Sequence, residues 1–137
     1  MAYQVKIKPL PGTNYSEVYK RTLDIYKKIK NRSKRRTYIR SSYFKKDKIF
    51  LDIFWQHLHK KLNHRDKTRR LKYLPCALEL IRYSNDEPVS KENPNARSEI
   101  LHRFPGITKT KEEFFVQIKE DKRIGEKYFI SVFPNEK

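Results

Sequence analysis

Cysteine occurs once in this chain, as do tryptophan and methionine, and glycine occurs three times. A lone Cys76 excludes an internal disulfide and fits a reducing compartment. So few glycines disfavour the nucleotide-binding folds that need close backbone approach, and no Gly-rich phosphate loop is present. The G-x-S-x-G elbow, the C-x-x-C and H-E-x-x-H spacings and any suggestive pair of carboxylates are also missing, so no metal and no other cofactor is expected. His57, His59, His64 and His102 do not restore a metal site, because His57 and His59 point to different sides of a helix. No apolar run approaches bilayer length and the first residues lack the apolar core of a signal peptide, so a cytoplasmic protein without membrane contact is expected.

Acidic residues are scarce in one half only. Residues 1–75 hold 22 Lys and Arg against 5 Asp and Glu, whereas residues 76–137 balance at 11 each, so the net charge of +17 lies entirely in the first half. A surface tuned for solubility intersperses both signs, whereas a segregated excess points to a polyanionic partner that rewards clustered cations through counterion release. The apolar fraction is low, at 36%, yet nine Tyr, eight Phe and one Trp supply enough bulk for an aromatic-rich core. A length of 137 residues suits a single domain, 1–137, read as a basic helical extension over 1–64 and a helix-plus-sheet portion over 65–137.

Local patterns outline the elements. Tyr3, Val5 and Ile7 alternate with polar residues up to Pro9, which reads as a short edge strand. Val18, Leu23, Ile25, Tyr26 and Ile29 predict a helix from about Ser16, with Asn14 or Ser16 as N-cap and Glu17 in its first turn. Phe50, Leu51, Phe54, Trp55, Leu58 and Leu62 predict a second helix over 47–62 with Asp47 as N-cap, and Trp55 belongs to its core stripe. A third helix starts near Asp66 and carries Leu71, Leu74, Leu78 and Ile81; Pro75 either kinks it or begins its regular part. Residues 83–98 read as a turn-rich connection.

Three segments then follow, ILHRF, EFFVQIK and KYFISVF, which read as an antiparallel sheet. Alternation turns Phe114, Val116 and Ile118 to one face and Phe115, Gln117 and Lys119 to the other, and Gly125 suits the loop of the last hairpin. The expected fold class is therefore α+β, with N-terminal basic helices packed on a small C-terminal antiparallel sheet of three to four strands.

Two groups of residues carry candidate chemistry. Arg32, Lys34, Arg35, Arg36, Arg40, Lys45, Lys46 and Lys48 form the densest basic run. Tyr38, Tyr43 and Phe44 are interleaved with it, either to stack on bases while the cations follow a phosphate backbone or to anchor a loop to the core. The second group is polar and lies inside the strand pattern: His102, Arg103, Gln117, Lys119 and Ser131. A base near neutral pKa, cations and a hydroxyl suffice to cleave RNA through its own 2′-hydroxyl without a metal. The pleat, however, places His102 with Ile100 and Phe104, and Arg103 with Leu101.

The helix with Arg69-Arg70-Leu71-Lys72-Tyr73-Leu74-Pro75, then Ala77-Leu78-Glu79-Leu80-Ile81, a connection holding Glu87-Pro88, and the segments ILHRF, FFVQIK and YFISVFP together resemble the barnase/EndoU/colicin/RelE-like nucleases, closest to their phage-associated branch. The resemblance implies a toxin-type, metal-independent endoribonuclease restrained by an acidic antitoxin or immunity protein. It implicates Arg70, His102, Arg103, Lys119 and Ser131 as catalytic. Ser131 and Phe133 stand where that branch tends to carry Thr and Tyr. The alternative expectation is a non-catalytic RNA-binding protein, a subunit or inhibitor of a larger ribonucleoprotein.

Overall fold

The structure, a computed structural model, describes residues 2–32, 35–59 and 64–135, with the backbone alone for 56–59 and 64. Helix α1 spans Tyr15–Arg32 and buries Val18, Thr22 and Ile29. Its N-cap is Asn14, whose Oδ1 accepts the Ser16 N–H at 2.8 Å and satisfies one of the first-turn donors. The helix expected after residue 63 is split in two, α3 (His64–Lys72) and α4 (Leu74–Tyr83), around Tyr73. Pro75 lies in the first turn of α4, where its missing N–H costs no helical bond, and it is there that the regular apolar part begins.

The helix expected over 47–62 is corrected. Residues 47–50 form a strand, β3 (Asp47–Phe50), and α2 begins only afterwards, as Asp52–His59. Apolar residues at helical spacing can equally alternate in a strand when a partner edge is available. Here β3 pairs in parallel with β7 (Glu126–Pro134), Ile49 opposite Lys127 and Phe50 opposite Tyr128. Asp47 caps no helix; its carboxylate instead accepts from Lys127 Nζ at 2.7 Å. Leu62 lies outside the described residues, and so does the side chain of Leu58.

The basic run also holds a strand, β2 (Tyr38–Ser41), which forms a hairpin with β3, Tyr38 opposite Phe50 and Ser41 opposite Asp47. Its turn places Lys45 and Lys46 at positive φ, 56° and 70°. The turn-rich connection contains β4 (Val89–Asn93), paired with β5 (Ala96–Ile107). β1 (Tyr3–Gln4) is the expected short edge strand and runs parallel to the far end of β5. Pro105 falls in the gap between these two partners, a position that suits a residue unable to donate.

The sheet runs β1-β5-β6-β7-β3-β2, with β6 as Glu113–Asp121 and β4 beside β5. Among the described residues it has seven strands, is mixed, and curls into a half-barrel. The expected three to four antiparallel strands behind a helical extension are thus overturned: among the described residues, 1–64 supply three strands of the sheet, and a single helix precedes β2. The cause is non-local pairing. The β3–β7 ladder joins segments far apart in the chain, and no local pattern encodes such a partner.

Phe114, Val116 and Ile118 face the helices and are buried, as the alternation requires. Phe129 stacks on Phe54 of α2 at 4.6 Å and 15°. A bulge at Ile130 shifts the β6–β7 register, so Gln117 faces Ser131 while Ile118 faces Phe129. Gly106 lets β5 approach α4: a Cβ there would meet Phe114 at 2.4 Å and Leu80 at 2.7 Å. Gly125, at φ 72°, turns the β6–β7 hairpin. Among the described residues no helix is long and apolar enough to cross a membrane.

Candidate nucleic-acid interface

Opposite the helix-packed face, the alternate residues of the same strands remain partly exposed. One row crosses four strands, with Lys119 opposite Tyr128, Tyr128 opposite Phe50 and Phe50 opposite Tyr38. The rings follow one another at 6.1 Å from Tyr128 to Phe50 and 6.2 Å from Phe50 to Tyr38. The Arg36 guanidinium lies over Phe50 at 3.9 Å, and Lys48 Nζ and Arg40 reach within 4.8 and 5.5 Å of the Tyr38 ring centre. Together Arg32, Arg35, Arg36, Tyr38, Lys48 and Phe50 line a cleft of about 480 Å³. Cations beside aromatic faces can hold phosphates while the rings accept bases.

Arg36 differs from the other cations of this cleft. It donates to both carboxylate oxygens of Asp52 at 3.2 Å and to Glu126 at 3.3 Å. Burial alone would lower its pKa, but the two carboxylates outweigh it and raise the value. Its charge is therefore balanced within the protein, and its guanidinium over Phe50 extends the stacking surface of that ring. Tyr128 donates to Glu126 at 2.5 Å, and burial together with that bond pushes its hydroxyl up to about 12, so the ring stays neutral.

A second aromatic group lies further along β6 and β7. Phe115 and Phe133 are 5.7 Å apart, with Arg103 at 5.7 and 5.4 Å from their centres and Arg70 at 5.5 Å from Phe133. Arg70 is held by Asp66 at 3.1 Å. Between the two groups Ser131 donates to Gln117 Oε1 at 3.0 Å. Lys119 ion-pairs with Glu99 at 3.6 Å and lies 5.7 Å from the Tyr128 ring centre.

The expected catalytic residues are divided by this geometry. Arg70, Arg103, Lys119 and Ser131 border or occupy the open face, but His102 points to the other one, 8% exposed. There its Nδ1 meets Ser90 Oγ at 2.7 Å and its Nε2 meets Glu120 at 2.8 Å, under the Phe44 ring. Glu120 in turn lies 4.0 Å from Lys127, whose bond to Asp47 holds that carboxyl below the usual carboxylate range, a shift strengthened by the Lys48 N–H. Both imidazole nitrogens are thus engaged by neighbouring side chains. His102 does not converge with Arg103, Lys119 and Ser131 on one phosphate-sized hollow, and the reason is the pleat: His102 and Arg103 are consecutive in a regular strand.

Among the expected binding residues, Arg32, Arg35, Arg36 and Tyr38 gather at the cleft and Arg40 flanks it. Lys45 and Lys46 are exposed on the hairpin turn. Tyr43 packs edge-on against Phe44 and Phe104 at 5.0 and 5.4 Å, which makes it an anchor of that turn to the core. Lys34 lies outside the described residues. Lys48, the last cation of the basic run, lines the cleft, whereas Phe50, Tyr128, Phe115 and Phe133 were missed as site residues. The strand alternation already separated Phe115 from the core, whereas Phe50 was absorbed into the expected helix.

Compared with known proteins, the chain matches no family model, no curated protein and no solved structure. The resemblance to the nucleases rests on the quoted segments alone.

Proposed function

We propose that this protein binds single-stranded RNA on the open face of its sheet, without cleaving it. The observation that carries the reading is the Tyr38–Phe50–Tyr128 row beside a cleft lined by Arg32, Arg35 and Lys48, with Arg36 held over Phe50 by Asp52 and Glu126. Stacking on rings is sequence-tolerant and the cations track the backbone, the combination that suits unpaired strands rather than a duplex whose bases are already stacked. Gln117 and Ser131 add hydrogen-bonding groups that a ribose hydroxyl can engage. Cleavage is left out of the reading because a base is wanted beside the cations, and His102 lies across the sheet from them.

The test is incubation of pure protein with labelled single-stranded RNA in EDTA. A mobility shift with the RNA intact is expected, competed by unlabelled RNA better than by single-stranded DNA or duplex. Intact RNA without a shift would sink the proposal. Metal-independent cleavage would instead restore the toxin-type ribonuclease and the search for its restraining partner.

A further inference from the structure

Phe115 and Phe133 lie on the open face but outside the row of Tyr38, Phe50 and Tyr128. Their rings are half-buried and 5.7 Å apart, with the exposed Arg103 at 5.7 and 5.4 Å from their centres and Arg70 of α3 at 5.5 Å from Phe133. Rings flanked by cations thus recur on the side of the sheet turned away from the helices. The register fixes how far apart the two groups are. Phe115 faces Phe133 and Lys119 faces Tyr128, so four residues of β6 separate them, about 13 Å of strand.

The first row sets the pace of a strand that follows it. Its neighbouring rings are 6.2 and 6.1 Å apart, nearly twice the rise of about 3.4 Å between stacked nucleotides of a duplex strand. Bases seated at adjacent rings are therefore splayed from one another, which suits an extended strand; at Phe50 the base is received by the Arg36 guanidinium over the ring. Two further steps of that size cover the distance of about 13 Å to the second group. One nucleotide then passes over Gln117 and Ser131 in between. The first leg crosses the strands and the second runs along β7, so the path turns at Tyr128, with Lys119 at the corner, 5.7 Å from the ring centre.

We infer that Phe115 and Phe133, with Arg103, form a second stacking subsite for the same RNA strand, so that the ligand is an extended unpaired segment of about 5 nucleotides or more. This rests on the RNA-binding reading and goes beyond it by giving the second aromatic group a role and the strand a length. Once the first row holds a strand, the base for the second group arrives tethered. Its effective concentration is set by the short link, and affinity rises without any change at the first row. Because every base has a face to stack, the length of the strand and not its sequence decides whether both groups are engaged.

The experiment measures the affinity of the full chain, at fixed salt, for pyrimidine-only RNAs of about 3 and about 8 nucleotides, the shorter able to fill the first row alone and the longer able to reach both groups. Wild-type protein is expected to bind the longer strand about 5-fold to 150-fold more tightly, the range of one added base stack. Phe133→Ala is expected to lose most of that gain, whereas Phe50→Ala weakens binding of both strands and keeps the gain. Where Phe133→Ala does not fold, the exposed Arg103 supplies a second variant. Arg103→Gln is expected to lose part of the gain and to lower the salt slope of the longer strand by about 0.7. No gain on lengthening, or a gain unchanged in the Phe133 and Arg103 variants, would overturn the inference and leave the binding reading standing. Failure of both strands to bind would overturn both.

Discussion

His102 and Arg103 are neighbours in the chain and occupy opposite sides of the sheet. On the packed side polar groups are consumed by one another: Ser90, His102 and Glu120 are linked in a chain, and Lys127 is clamped to Asp47. On the open side rings and cations lie beside one another and remain partly exposed, and their contacts are the looser ones of stacking and cation–π geometry. The packed side contributes stability because its apolar residues are buried and its polar groups are paired with one another. The open side retains surface for a partner. Both compositions come from strands of the same sheet, so a polar residue in a strand pattern identifies a site only after its face is known.

The sharpest way to break this comparison is to truncate one phenylalanine on each side. Phe129→Ala removes the ring stacked on Phe54 inside the core and is expected to cost about 3–5 kcal/mol in denaturant unfolding. Phe50→Ala, on the open face, is expected to weaken RNA binding by about 1–3 kcal/mol, with a far smaller loss of stability than Phe129→Ala. Equal loss of stability in the two variants would mean that the open face is packed after all.

A finer division concerns the cations of the cleft. Lys48→Ala and Arg35→Ala are each expected to reduce the slope of log affinity against log salt by about 0.7, the share of one phosphate contact on a single strand. Arg36→Ala is expected to lower affinity while leaving that slope nearly unchanged, since Asp52 and Glu126 already balance its charge. A slope that falls as much for Arg36 as for Lys48 would make Arg36 a phosphate contact.

The smallest expected effect comes from the packed side's ion pair. Lys127 holds the Asp47 carboxyl below its ordinary pKa, so on acidification the unfolded chain takes up that proton first. The pair's contribution is therefore complete above the unfolded value, near about 4, and is lost as pH falls through the lower folded value. Asp47 is nearly half exposed, so solvent screening limits the contribution to about 1 kcal/mol or less. Thermal melts of wild type and Lys127→Met should converge as the pH is taken below that range; a gap that persists in acid would assign the loss to packing around Phe44.

Much of this was legible in the residues themselves. The separation of Phe114, Val116 and Ile118 from Phe115, Gln117 and Lys119 follows from the two-residue period of a strand, the Gly125 hairpin from a left-handed turn, and the division at Pro75 from a missing N–H. The same period already set His102 apart from Arg103. The strands inside the basic run were not legible, because Tyr38–Ser41 and Asp47–Phe50 are short and their cations hide the alternation.

The sequence by itself determined where the charge lies, which residues of each strand share a face, and that aromatics and cations are interleaved over residues 31–48. Only the tertiary structure decided that β3 inserts between β7 and β2 and so sets Tyr38 and Phe50 in one row with Tyr128. Alternation and turn chemistry act between residues close in the chain, where local sterics suffice. The choice of a ladder partner some eighty residues away depends on which edge and which buried face the folded core leaves available.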